Sequence, residues 1–582
     1  MSKAKTIFFG IVFTVLATVF LVLAAEVALF VGNKLFKIQR LSVLDENYVE
    51  VASEKIYPKY PNDYLKIAIF GGSAARGYNS ERSFGDMLPI VLQGNLNGNK
   101  KIFIRNYAED GRPFHRYGSE LAVAAAARYD VLIIYAGTNE PLNYYDDIRY
   151  FVKPEFKKEI DLSKTPDIAA IDRLIEGRSE NPVEDFFGRR SRLYSVAKRF
   201  TAKFASQMSM ANGTKPVNKF RNARFNAFES KAIIPKTEQT KLAQAFAGDL
   251  KRVADEAKKY GAKVLLLPET PEELFSPTCS VLSESLAPAL RASIQTSIKK
   301  AEHLYKTNQP TQATAILRDI LQKTPDLAKA LHLQGMIAFD SKRWPEAWKS
   351  LRAAIDNDCF PMRTLTSMHN AMYSVVGQHE NAKIIDVLNE FRKLRIKGFT
   401  AQELYSDVVH PTMLGHYALA LVAAKGLDQT GVSRVGESLD HKLADRLREA
   451  FQDIPTQLRV TNAERANAAF MQARWNLSFA FRAGNSEQYQ EWARAHLHEY
   501  IKLVGESAEE TSDAYLYLGL SYAIGRDYEQ ALRWLNEAHR RSSGRISHRY
   551  LNDVMATGDG VRSILEEASI EFDSKANKFH KR

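Results

Sequence analysis

The sequence predicts an α/β protein: a parallel sheet covered by helices, joined to all-α helical repeats and preceded by a membrane-spanning helix. Three observations predict it. Short apolar runs ending in glycine or proline alternate with helix-compatible stretches, the order of βαβ units with helices on both faces of the sheet. A helical pattern recurs 34 residues apart, pairing Ala313 with Ala347 and Leu317 with Leu351. Ile7 to Ala25 is an uncharged apolar run, long enough to cross a bilayer as a helix. The 582 residues are too many for one ordinary domain.

The apolar run extends to Val31 with only Glu26 interrupting it. Cleaved signal peptides have shorter apolar cores, roughly 7–15 residues, so an uncleaved anchor is expected, although Ala24 and Ala25 leave cleavage open. Lys3 and Lys5 precede the span and Lys34, Lys37 and Arg40 follow it, so flanking charge sets its orientation weakly. Long C-terminal regions translocate largely regardless of charge. A cytoplasmic N-terminus and an extracytoplasmic body are therefore expected.

Leu65 to Phe70 reads as the first strand, ending in Gly71-Gly72 and followed by a helix-compatible stretch from Ser83 to Leu92. Lys101 to Arg105 is the second strand, and Leu121 to Arg128 is Ala-rich and helical. Val131 to Tyr135 is the third strand, running to Gly137, and Lys263 to Leu267 is the fourth, stopped by Pro268. Residues 141–260 read either as a surface excursion or as a lid over a binding site. His410 precedes Pro411, which disfavours a helical conformation for it, so it belongs to a loop leading into a helix from Met413 to Ala424.

The second copy of the repeat also carries Gly335, Ala338 and Ala354. A further copy near the C-terminus has Leu518, Gly519, Tyr522, Ala531, Leu535 and Ala538. Phe470 to Val504 reads as two more amphipathic helices. These positions resemble the tetratricopeptide repeat, in which small residues allow close helix contact. Two pairs are few for free-standing arrays, so each is expected to pack against something else, the other pair being one option.

Composition excludes some functions. The net charge of +12 suits nucleic acid or an anionic membrane surface, but the positive residues are spread along the chain and no nucleic-acid motif accompanies them. Cys279 and Cys359 are too few for a disulfide framework; whether they pair with each other is open. The 13 histidines lack metal-ligand spacing, and no metal or organic cofactor is expected.

Ser73 sits on a Gly-Gly turn after a strand, which can expose its hydroxyl and backbone N–H. No Gly-Lys-Ser/Thr follows, so a nucleotide P-loop is disfavoured, and Ala75 breaks the Gly-x-Ser-x-Gly elbow. Asp407, three residues before His410, can bond one imidazole nitrogen and leave the other as a base. Gly111 can bring its N–H close to a substrate oxyanion, and Asn139 can donate its side-chain amide to the same oxygen. Ser73, Gly111 and Asn139 all lie just beyond strand ends, where open α/β sheets bind ligands.

In that order, Gly71-Gly72-Ser73, Asn106 to Gly111, Gly137-Thr138-Asn139-Glu140 and Asp407-Val408-Val409-His410 resemble the four blocks of the SGNH hydrolases, the GDSL-like lipase/acylhydrolase superfamily. Gly72 and Glu140 each stand where the family usually has Asp. The match covers residues 65–140 and 262–425. The resemblance implies a flavodoxin-like three-layer α/β/α fold, with Ser73 as nucleophile, His410 as base and Asp407 as its partner. It implies an oxyanion hole made by the N–H groups of Ser73 and Gly111 and the amide of Asn139.

The organisation expected is an anchor at 1–40, an SGNH domain at 41–294 and 361–432, inserted repeats at 295–360 and a C-terminal helical domain at 433–582. The expected activity is that of a membrane-anchored extracytoplasmic serine esterase acting on an acylated carbohydrate or lipid. An O-acyltransferase acting on a cell-surface polysaccharide and a non-catalytic, glycan-binding scaffold are the alternatives. The repeats imply a protein partner under every reading.

Overall fold

The computed structural model describes residues 64–93, 101–141, 234–433, 446–542 and 564–581, apart from short gaps within these ranges. The expected anchor and the greater part of the excursion or lid, residues 142–233, lie outside the described residues. Among the described residues no helix is long and apolar enough to cross a membrane.

Five strands, β1 (Tyr64–Gly71), β2 (Lys101–Asn106), β3 (Val131–Ala136), β4 (Lys263–Pro268) and β5 (Ala382–Ile384), form one parallel sheet in the order β2-β1-β3-β4-β5. Ile69 lies between Asn106 on β2 and Ile133 on β3, and Ile133 pairs onward with Leu265 on β4. The carboxyl ends of the first four strands therefore meet at one edge. The central strands are continuous apolar runs because both of their faces are buried. Ile67, Ile69, Ile133 and Leu265 enter one apolar core, while Ala68, Phe70, Leu132 and Val264 enter another. The four strands read from sequence all form; β5 is an addition to them.

The helices between β1 and β5 are α1 (Ser73–Arg76), α2 (Phe84–Leu92), α3 (Ser119–Ala125), α4 (Lys236–Lys259), α5 (Pro288–Lys306), α6 (Pro310–Lys323), α7 (Ala328–Asp340), α8 (Trp344–Asp356) and α9 (Thr366–Val376). After β5 come α10 (Val387–Ile396), α11 (Ala401–Leu404) and α12 (Met413–Gln429). Side chains of α2, α10 and α12 fill the core on one face of the sheet, and those of α4 and α9 fill the other. Helix α4 forms the last part of the 141–260 segment read from sequence as an excursion or lid; it is amphipathic and buries Phe246, Leu250 and Val253.

Helices α5 to α8 leave the sheet after β4 and return before β5. Their two ends are tied by the disulfide between Cys279 and Cys359. Beside it the buried Asp358 accepts hydrogen bonds from the N–H groups of Thr278 and Cys279 and pairs with the buried guanidinium of Arg363 at 3.2 Å. Within the insert, α7 and α8 touch where Gly335 meets Leu351; a Cβ on Gly335 would lie 2.6 Å from the Leu351 Cγ.

The C-terminal region adds α13 (Leu447–Phe451), α14 (Ile454–Gln457), α15 (Asn462–Arg482), α16 (Glu487–Val504), α17 (Ser512–Ile524) and α18 (Tyr528–Arg541), then a hairpin of β6 (Ile570–Asp573) and β7 (Lys578–Lys581). Gly519 and Leu535 repeat the Gly335–Leu351 contact at the same sequence separation, with a Cβ on Gly519 falling 2.7 Å from the Leu535 Cγ. These helices pack on the α/β domain. Ala473, Leu477 and Trp492 share a core with the sheet-facing Ile69 and Tyr135, and the Phe275 ring lies 4.4 Å from that of Tyr489. Between the two helical sets, Lys306 and Glu487 form an exposed ion pair at 2.7 Å.

Candidate active site

Ser73 is the first residue of α1, separated from the β1 end by Gly72 alone. The turn depends on Gly71, where a Cβ would lie 2.0 Å from the carbonyl oxygen of Tyr135 on the neighbouring strand. Only a bare backbone fits so close to β3. Ser73 is half-buried, and its carbonyl accepts the N–H groups of Gly77 and Tyr78, closing the short helix.

The loop between α11 and α12 carries Asp407 and His410. Tyr405 and Pro411 pair as an isolated antiparallel bridge, and the Ser406 N–H and hydroxyl both donate to the His410 carbonyl. Thr412 then caps α12, its hydroxyl accepting the Gly415 N–H. Inside this closed loop Asp407 is 1% exposed and His410 3%. His410 Nδ1 lies 2.6 Å from Asp407 Oδ2, and His410 Nε2 lies 2.8 Å from the Ser73 Oγ. A histidine held this way donates from Nδ1 to the carboxylate and offers Nε2 as acceptor to the serine hydroxyl.

Burial by itself pushes the His410 imidazole toward the neutral form, but the Asp407 carboxylate, reinforced by Glu269 and Asp110, outweighs it and raises its pKa above the ordinary 6.5. Next on α12, His416 is buried without a partner for either nitrogen among the described residues. Desolvation, with a smaller contribution from His410, lowers its pKa to about 3.

The loop after β2 is fastened to the serine helix. The Asn106 side chain donates to the Ala75 carbonyl at 2.9 Å and accepts the Ala108 N–H at 3.0 Å. The Glu109 N–H donates to the Gly71 carbonyl, and Asp110 pairs with Arg76 at 2.8 Å. Gly111 follows with φ +67°.

Asn139, 5% exposed, follows β3. Its loop is held on both sides: the Thr138 N–H donates to Glu269 Oε2 at 3.1 Å, and Glu140 Oε1 accepts the Phe114 N–H at 2.7 Å. Since β2, β1 and β3 are neighbours, Gly111, Ser73 and Asn139 follow the carboxyl ends of three adjacent strands. The structure thus joins Ser73, Asp407 and His410 directly and sets Gly111 and Asn139 in the segments that follow the flanking strands β2 and β3.

Three neighbours escaped the sequence reading. Glu269 follows the β4 end directly; its burial, then the charge of Glu140, raises its pKa to about 7. A carboxylate immediately after a strand's carboxyl end was the available signal. Tyr78 and Trp475 flank the imidazole, with ring centroids 5.1 Å and 5.9 Å from that of His410. Nothing in the sequence connects α15, which carries Trp475, to this loop. Among the described residues no group of three or more His, Cys, Asp or Glu side chains is arranged to hold a metal ion.

No family model and no curated protein matches the chain.

Proposed function

We propose that this chain is a serine acyl-transfer enzyme of the SGNH type, a membrane-anchored extracytoplasmic esterase acting on acylated carbohydrate or lipid. The observation that carries the reading is the continuous chain from Ser73 Oγ through His410 to Asp407, with links of 2.8 Å and 2.6 Å. The strand order β2-β1-β3-β4-β5 is that of flavodoxin-like sheets, which supports the same family. The Gly335–Leu351 and Gly519–Leu535 contacts support tetratricopeptide-like repeats in both helical sets. The Cys279–Cys359 disulfide supports an oxidising, extracytoplasmic setting.

In this mechanism His410 Nε2 takes the Ser73 proton while Oγ bonds to the ester carbonyl carbon. The carbonyl oxygen becomes an oxyanion, held by the N–H groups of Ser73 and Gly111 and by the Asn139 amide. The carbonyl re-forms, the C–O bond to the alcohol breaks, and the imidazolium returns its proton to the leaving oxygen. Water, deprotonated by His410, then attacks the acyl-serine and releases the acid. A sugar hydroxyl in place of water makes the same enzyme an O-acyltransferase. The scaffold alternative leaves the assembled Ser73–His410–Asp407 chain without a use.

The test is a serine-directed fluorophosphonate together with a short-chain aryl ester, applied to full-length protein in detergent and to Ser73→Ala. Labelling and turnover in the wild type, both absent from the variant, are expected. A folded wild type that neither labels nor turns over would overturn the proposal.

A further inference from the structure

One helix of the C-terminal set reaches both halves of the Ser73–His410 pair. On the serine side, Gln472 donates to the Asn79 carbonyl, Trp475 lies edge-on to Tyr78 at 5.8 Å, and Arg82 pairs with Glu464 at 2.9 Å. On the histidine side, Asn476 donates to the Ser406 carbonyl at 2.9 Å, and the Trp475 ring stands at 76° to the His410 imidazole. Ser406 is the residue before Asp407 and also bonds the His410 carbonyl. Asn476 is fully buried, and its amide also donates to Gln472 of the same helix. A surface-packed neighbour would touch one element; α15 touches the segment after the nucleophile and the loop of the base at consecutive residues.

We infer that α15 is a positioning element of the active site, with Trp475 and Asn476 setting the His410 loop against Ser73, so that the C-terminal helices are part of the catalytic unit. This rests on the serine acyl-transfer reading above. The physical reason is the short reach of proton transfer: a misplacement of about 1 Å between base and nucleophile costs on the order of a hundredfold in rate. The loop's own hydrogen bonds fix its shape, whereas α15 fixes its place relative to α1. Trp475 also covers the imidazole. The charged and titratable groups facing His410 are Asp407 on its own loop, Tyr78 after α1, Asp110 after β2, Glu269 after β4 and His416 on α12. Removing the indole admits water without altering that set.

The experiment compares full-length wild type, Trp475→Leu, Trp475→Phe and Asn476→Asp, measuring kcat, KM and the fluorophosphonate labelling rate from pH 5 to 9. Trp475→Leu is expected to lower kcat about tenfold or more with KM little changed. Its acid limb is expected to move to higher pH, because relieving desolvation favours imidazolium. Trp475→Phe, which keeps a ring, should recover most of the rate. Asn476→Asp, which sets a carboxylate against the Ser406 carbonyl, should also lose about tenfold in kcat. Wild-type rates and acid limbs in folded Trp475→Leu and Asn476→Asp would overturn this inference alone. If Trp475→Leu does not fold, Asn476→Asp decides, and an unchanged kcat overturns the inference. A wild type that does not label overturns the function proposed above and this inference with it.

Discussion

Asp407 binds His410 twice. One carboxylate oxygen accepts the His410 backbone N–H, and that of Val409, each at 2.8 Å; the other meets Nδ1 at 2.6 Å. Acid and base are thus fixed by the same tight turn, and the carboxylate sets the loop's shape as well as the imidazole tautomer. Asp407→Asn is expected to reduce kcat by roughly a thousandfold or more, with loss of melting temperature as well, because an amide in place of the carboxylate weakens two charge-assisted bonds to the backbone. Steady-state kinetics and a thermal melt on the same preparation check both outcomes.

The raised pKa of His410 has a direct kinetic reading. An imidazolium cannot accept the Ser73 proton, so activity is lost as pH falls through the His410 pKa in the free enzyme. The acid limb of kcat/KM should therefore lie above pH 6.5. Arg76→Gln, which releases Asp110 from its ion pair, should leave that limb above 6.5, since Asp407 remains the main charge holding it there. A limb below 6.5 in the wild type would mean that burial outweighs the carboxylates.

Glu269 contributes in the opposite direction at high pH. Its folded pKa of about 7 lies above the usual 4.5, so its contribution to stability is fully present below pH 4.5 and is lost as pH rises through 7. The corresponding loss is about 3 kcal/mol. Glu269→Gln, neutral at every pH and still able to accept the Thr138 N–H, should melt higher than wild type at pH 8.5 and close to it at pH 5. Equal melting temperatures at pH 8.5 would refute the assignment.

Reducing the disulfide should loosen the insert first. Cys279 and Cys359 are 80 positions apart, and closing a loop of that size contributes about 4.5 kcal/mol in the chain-entropy account. Cys279→Ser with Cys359→Ser should lower the melting temperature, and hydrogen exchange should rise most in α5 to α8. Labelling of Ser73 should persist at temperatures where the variant is folded, because the insert supplies none of Ser73, Asp407 and His410.

The sheet and the Ser73–His410–Asp407 contacts were legible for different reasons. Strands β1, β3 and β4 announce themselves as apolar runs because both faces are buried, and their punctuation by Gly71, Gly137 and Pro268 marks the edge where the site forms. The Asp407 to His410 spacing is local, so its partnership can be read from the sequence; its meeting with Ser73, 337 positions away, rests on the order of the blocks. Strand β5 has three residues with Lys383 at its centre, too short and too polar to show a period. The Gly335 and Gly519 positions were readable because close helix contact demands a small residue. Trp475 and Asn476 were not, since a helix whose residues serve its own bundle and another domain's loop carries no pattern for the second task.

The Cys279 and Cys359 Cα atoms are 5.0 Å apart. To the sheet, then, the long detour through four helices is equivalent to a hairpin bend: the chain departs and comes back at one point. Such a cassette can be lengthened, exchanged or lost over evolutionary time without rethreading the strands on either side. What it presents to the surroundings is free to diverge while the arrangement of residues at the strand ends stays put.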